Sequence, residues 1–130
     1  MSINYNNDMA IKTAKVEKQL EEVQKSLLAL QSNVNQEIQT LNSQIANKVF
    51  HVNKITGKIE ALEENYSDLG YTAKDKDEKV ETYKHNIEHG QQEIQNLQQQ
   101  VENARNRGIA EAQKLEGKRE LYRELLDLSD

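Results

Sequence analysis

The chain of 130 residues has no cysteine, no proline and no tryptophan, and it has only five glycines. Without cysteine it forms neither a disulfide nor a thiolate metal site, which fits a reducing compartment. Without proline it lacks the residue that most strongly breaks helices. Five tyrosines and one phenylalanine are too few aromatic side chains for a compact globular core. These absences favour long helices with a narrow apolar seam.

Several functional signatures are also missing. No apolar run reaches the roughly 18 residues of a membrane span, and the polar residues after Met1 do not form a signal peptide. We therefore expect a cytoplasmic protein with no membrane span, with export by a signal-free route as the open alternative. The net charge is −5, and the basic residues do not form a basic face. Both observations argue against nucleic-acid binding. No nucleophile–base pattern or phosphate-binding loop occurs, so we expect no catalytic residue and no cofactor.

The residues that are present form one pattern, in which apolar side chains recur at intervals of three or four. Such spacing places them on one face of a helix and is typical of a coiled coil. The interval of four residues from Ile45 to Val49 follows another interval of four, so the alternation of three and four gains an extra four. Such an extra four locally alters the supercoil without ending the helix. In the first half the pattern comprises Val16, Leu20, Val23, Leu27, Leu30, Val34, Ile38, Leu41, Ile45, Val49, Val52, Ile55, Ile59, Leu62, Tyr66 and Leu69. In the second half it comprises Val80, Tyr83, Ile87, Ile94, Leu97, Val101, Ala104, Leu115, Tyr122 and Leu125.

A turn is predicted where this pattern stops. Gly70 follows the last apolar residue of the first half and suits the positive φ of a helix C-cap. Thr72 is a good N-cap for a second helix. We therefore predict a single all-α domain, a long antiparallel helical hairpin. Its segments are a flexible N-terminus over 1–7, a first helix over 8–69, a turn over 70–72 and a second helix over 73–128.

Folding back at this turn sets a register between the two helices. Leu62 then faces Val80 and Leu41 faces Val101. Two glycines fall opposite valines, since Val52 faces Gly90 and Val34 faces Gly108. Such a two-helix core is thin, and helices gain most of their stability from tertiary packing, so we expect association into a four-helix or larger bundle. The alternatives are a parallel dimer of one continuous helix and a three-helix bundle with a second break near 47–53.

Two sets of residues are predicted to make the helix–helix contacts. The seam of the hairpin is expected to comprise Leu27, Leu41, Ile45, Ile55, Ile59, Leu97 and Val101. The broader apolar stripe near the C-terminus indicates a contact with a further partner. That partner interface is expected to comprise Leu121, Tyr122, Leu125 and Leu126.

The three histidines are the remaining candidates for chemistry. His85 and His89 lie four residues apart on one helical face, a spacing that suits a metal ion. The register brings His51 to the same level of the hairpin. A solvated position for all three is the more ordinary interpretation, since no second shell for the ligands is visible.

These observations lead to three functional hypotheses. The first is a non-enzymatic coiled-coil structural or assembly protein that contacts itself, as a homo-oligomer, or a helical protein partner in a larger complex. The second is a regulatory adaptor or chaperone that folds onto a helical client. The third is a metal-responsive helical bundle held by His51, His85 and His89.

Overall fold

A computed structural model describes the backbone of residues 2–129 and the side chains of residues 13–128. It contains two long helices, α1 over Ser2–Asn65 and α2 over Ala73–Ser129. They pack against each other as an all-α helical hairpin. Helix α1 continues without a break through residues 47–53 and through Gly57, so residues 2–129 contain no third helix.

The helix boundaries differ from the predicted ones. Helix α1 begins at Ser2 and not at residue 8, because no proline or glycine interrupts the chain before Gly57. It ends at Asn65 and not at residue 69, and α2 extends to Ser129 and not to residue 128. The predicted flexibility of residues 1–7 stays a prediction, since Met1 and the side chains of residues 2–12 lie outside the described part of the chain.

The turn between the helices is built as a Schellman motif. The amide of Tyr71 donates to the carbonyl of Tyr66 at 2.9 Å, and the amide of Gly70 donates to the carbonyl of Ser67 at 3.1 Å. Gly70 has a φ of +83°, the left-handed conformation that this cap requires. The Leu69 amide still donates to the Asn65 carbonyl, so one more helical turn follows the regular helix. The predicted glycine C-cap is therefore confirmed, although regular helix stops earlier than predicted.

The start of α2 follows the predicted N-cap. The Thr72 hydroxyl accepts a hydrogen bond from the Asp75 amide at 3.1 Å, and the Thr72 carbonyl accepts one from the Lys76 amide at 3.0 Å. The first bond pairs an amide group that the first turn of a helix leaves unsatisfied, and the second is the first backbone bond of the regular helix. The Asp75 carboxylate is also favourable near the positive end of the helix dipole.

The chain divides into two compact units, and we name the one that contains the turn, Ile38–Asn103, the turn-proximal unit. Apart from the half-buried Glu93, its buried and half-buried helical positions alternate by three and four. In α1 these positions are Ile38, Leu41, Ile45, Lys48, Val52, Ile55, Ile59 and Leu62, and the half-buried Tyr66 continues the spacing into the turn. In α2 they include Lys76, Val80, Tyr83, Ile87, Gly90, Ile94, Leu97 and Val101. This period of 3.5 residues is that of a left-handed coiled coil.

Three apolar positions of the predicted pattern are wrong. Val49 is 40% exposed, and Lys48 takes the seam position instead, so the predicted extra four at Val49 does not occur. Leu69, in the Schellman turn, is 61% exposed. Near the end of α2, Leu125 is exposed, whereas Leu126 is half-buried and continues the seam.

The second unit comprises Met1–Glu37 and Ala104–Asp130, and we name it the terminal unit. Its seam in α1 comprises Thr13, Val16, Leu20, Val23, Leu27, Leu30 and Val34. Its seam in α2 comprises Ala104, Gly108, Ala112, Leu115, Arg119, Tyr122 and Leu126. The two successive intervals of four at Ala104, Gly108 and Ala112 locally relax the supercoil. The prediction that the whole chain behaves as one domain stays a prediction.

Candidate helix–helix interaction surfaces

The helices approach each other closely at the two predicted glycine–valine pairs. A β-carbon added to Gly90 would lie 2.7 Å from Cγ2 of Val52. One added to Gly108 would lie 3.0 Å from Cγ2 and 3.1 Å from Cγ1 of Val34. Each glycine therefore gives a valine side chain the space of its missing methyl group. The predicted register is confirmed at both levels, one in each unit.

The other predicted seam residues lie on the same faces. Leu41 and Val101 are buried, while Leu27, Ile45, Ile55, Ile59 and Leu97 are half-buried. Ala104, at 1% exposure, is the most deeply buried of the core residues that lie within the described range. Half-burial of large aliphatic side chains is the consequence of a two-helix seam, which covers each stripe from one side only.

Basic residues occupy three seam positions, and the apolar pattern did not identify them. Lys48 in α1 forms an ion pair across the seam with Glu93 in α2, and Glu93 also lies 2.7 Å from Nε2 of His89. The hydrogen bond from Lys48 lowers the pKa of the Glu93 carboxyl, and the charges of Lys48 and His89 add to this effect. A charged residue in a coiled-coil seam costs stability and fixes the register.

Lys76 and Arg119 are the other two basic seam residues. Lys76 places its ammonium 5.2 Å from the centre of the Tyr66 ring and 2.8 Å from Asp77. The hydrogen bond to Asp77 raises the pKa of Lys76. Arg119 lies in the terminal unit, and its buried Nε has no hydrogen-bond partner. Long basic side chains can line an apolar seam because their methylene stems are apolar.

One further cross-helix ion pair lies in the terminal unit. Arg107 of α2 donates a hydrogen bond from Nη2 to Oε2 of Glu37 in α1, at 2.5 Å. This bond raises the pKa of Arg107. Both side chains are about half exposed, so the pair orients the helices more than it stabilises them.

The predicted partner interface separates into two faces of α2. Tyr122 and Leu126 are half-buried at seam positions, whereas Leu121 and Leu125 are exposed on the flank. Leu128, which is 82% exposed, extends that flank by one turn. Leu121, Leu125 and Leu128 lie at i, i+4 and i+7 and therefore form one continuous apolar strip, which we name the leucine stripe.

The histidines do not assemble into a metal site. His85 lies 3.6 Å from Glu81 and 3.9 Å from Glu88, so its neighbours are carboxylates on its own helix. His89 contacts Glu93, and the His51 ring packs edge-on against Phe50 at 5.7 Å. All three imidazoles are exposed. Within the described residues no group of three or more His, Cys, Asp or Glu side chains is placed to hold a metal ion.

A groove follows one flank of the turn-proximal unit next to the turn. It has a volume of about 570 Å³ and is lined by the end of α1, the turn residue Tyr71 and the start of α2. The ammonium of Lys79 lies 5.2 Å from the centre of the Tyr71 ring, and both residues also line a second hollow of about 450 Å³. The apolar pattern of the sequence gave no sign of this groove, because its lining comes from both helices and the turn.

Comparisons with known proteins add no relative. No protein-family model, curated protein or solved structure matches the chain. In the described part of the chain, neither helix has a stretch apolar enough to cross a membrane.

Proposed function

We propose that this chain is a non-enzymatic assembly protein that acts through helix–helix contacts with copies of itself or within a larger complex. One observation carries the proposal: large apolar side chains remain exposed although the two helices pack together. Within the described residues these are Leu28, Val49, Phe50, Leu69, Ile109, Leu121, Leu125 and Leu128. Burying one such side chain contributes about 1.5–3 kcal/mol, which a further helix would supply.

The character of the seam supports the same proposal. It contains no fully buried large side chain among the described residues, and basic residues interrupt it. A seam of this kind gives the pairing its register but limited stability, and a second pair of helices would cover the half-buried leucines and isoleucines. The lack of cysteine supports a cytoplasmic location for this assembly.

Analytical ultracentrifugation over a wide concentration range tests this proposal. We expect a mass that is a multiple of the 15.0 kDa chain and that falls on dilution. A fully helical monomer at every concentration would overturn self-assembly. A monomer of partial helicity that becomes helical on a helical client would instead favour the adaptor or chaperone hypothesis.

A further inference from the structure

The groove beside the turn has the chemistry of a docking site for an apolar strip with an acidic edge. Its apolar walls include the buried Leu62, the exposed Leu69 and the half-buried Tyr83. Its basic lining residues are Lys58 and Lys79. An apolar strip can therefore be buried against the walls while carboxylates meet the lysines.

The charge of the groove differs in sign from that of the whole chain. The chain carries −5, whereas the charged residues that line the groove are Lys58, Lys79 and one acid, Asp68. Lys79 is held above the Tyr71 ring, and Lys58 makes no ion pair with any described residue. A basic groove on an acidic protein favours an acidic ligand.

The same chain carries a surface that complements this groove. The leucine stripe of Leu121, Leu125 and Leu128 is exposed, and its intervals of four and three match the anchors of a helix that docks in a groove. Helical geometry places the exposed Glu124 along the outer edge of the stripe, with Glu120 and Asp127 next to it. Arg123 points to the opposite flank, across the seam. The stripe is therefore apolar with an acidic edge.

The leucine stripe and the groove beside the turn match in length and in charge. From Leu121 to Leu128 the stripe extends about 10 Å, and the part of α1 that lines the groove, residues 58–65, extends about 10 Å as well. Lys118, one turn before the stripe, offers a partner for Asp68, while Glu124 offers one for the groove lysines.

We propose that the leucine stripe of one copy docks in the turn groove of a second copy. The contact is heterologous, because different surfaces of the two copies meet, and it links copies head to tail. Antiparallel docking of the stripe against the stripe of another copy is disfavoured, because it would bring the acidic edge of Glu120, Glu124 and Asp127 close to an identical edge. The inference rests on the proposed self-assembly and identifies its surfaces.

Two complementary variants of the full chain test this contact. Leu125→Asp removes the apolar centre of the stripe, and Leu69→Asp removes an exposed wall of the groove. Each variant alone is expected to associate at least about tenfold more weakly than the wild type. Mixed in equal amounts, the two variants are expected to form a pair of one copy each and no larger species, since only one intact stripe and one intact groove remain.

The control is Gln98→Asp, which introduces the same residue at an exposed polar position outside both surfaces. It is expected to associate like the wild type, and the helical circular dichroism signal reports whether each variant folds.

If a leucine variant fails to fold, the double variant Lys58→Glu with Lys79→Glu replaces it. This charge variant is expected to associate about tenfold more weakly than the wild type, and the further change Glu124→Lys is expected to restore association. A wild type that stays monomeric overturns the proposed function itself. A wild type that associates while both leucine variants, or the charge variant, associate like Gln98→Asp overturns only the head-to-tail contact.

Discussion

Gly90 shows at the scale of a single residue how the helices are kept in register. Its missing side chain makes the space that a methyl group of Val52 occupies, and Gly108 does the same for Val34 in the other unit. A glycine in a helix costs about 1 kcal/mol relative to alanine. At these two positions the cost is offset by a closer helix–helix contact, because nothing larger than hydrogen fits.

Replacing glycines by alanine separates these two effects. Gly57→Ala is expected to stabilise the protein by about 1 kcal/mol, because a β-carbon there meets nothing within 4 Å. Gly90→Ala is expected to destabilise it by about 1 kcal/mol net, because overpacking against Val52 exceeds the gain in helix propensity. Urea unfolding of both variants measures the difference.

The double variant shows whether the valine is the cause. In a Val52→Ala background the clash is gone, so Gly90→Ala should become stabilising, as Gly57→Ala is in the wild type. If Gly90→Ala were as stabilising as Gly57→Ala in the wild-type background, the close contact at Val52 would be refuted.

At the scale of the helices, the seam residues decide whether the pairing forms. Leu97→Asp or Ile59→Asp places a carboxylate in the half-buried seam, which costs several kcal/mol because the charge is unpaired there. We expect either variant to abolish the cooperative thermal transition followed by circular dichroism. Gln98→Asp adds the same residue at an exposed neighbouring position and should melt within a few degrees of the wild type. Unchanged helicity and melting of Leu97→Asp and Ile59→Asp would contradict the seam assignment.

The ion pair between the helices makes stability depend on pH. The hydrogen bond from Lys48 holds the pKa of Glu93 below its ordinary value of 4.5, and His89 adds to the effect. Because the folded pKa is the lower one, this contribution is fully present above the ordinary pKa and is lost as the pH falls through the folded pKa. Glu93→Gln should therefore lose less stability than the wild type on acidification.

Melting temperatures at about pH 6 and about pH 3 measure this effect. Glu60→Gln is the matched control, because Glu60 is exposed on α1 and makes no ion pair with any described residue. It should follow the wild type over the same range. If Glu93→Gln also follows the wild type, the pair with Lys48 does not couple protonation to folding.

At the scale of the helices, the sequence could predict the features that depend on local residue chemistry and on the period of the apolar pattern. The two helices, the glycine C-cap at Gly70, the Thr72 N-cap and the Gly90–Val52 pair all follow from residue type and spacing. The seam position of Lys48 was not predicted, because the pattern was built from apolar residues and therefore took Val49 in its place. Continuing the strict alternation of three and four from Leu41 would have reached Lys48, since a lysine stem is apolar enough for a seam.

The proposed contact surfaces were less predictable than the fold. The leucines near the C-terminus stood out as a broad apolar stripe, but only the backbone geometry separates Leu126 in the seam from Leu125 on the flank. The groove beside the turn depends on side chains that the turn brings together, such as Tyr71 and Lys58. No pattern along one helix encodes such a site.

At the scale of the whole molecule, the fold depends on the chain reversing direction at Gly70. The same apolar stripes would be buried if two extended chains paired with each other. The two arrangements differ in whether the paired helices belong to one chain or to two. Because the chain has no cysteine, spin labels attached to Leu27→Cys and Leu115→Cys report only on those two positions. Both belong to the terminal unit, and the register places them opposite each other.

We expect these two labels to be close, since paired helix axes lie about 8–10 Å apart. The distance should persist when labelled protein is diluted with a large excess of unlabelled protein, because the contact lies within one chain. A second pair of labels at Leu28 and Ile109, two exposed positions of the same unit, provides a reference for mobile side chains. If dilution abolished the short distance between residues 27 and 115, the contact would be between chains. The hairpin would then have to be replaced by a dimer of extended helices.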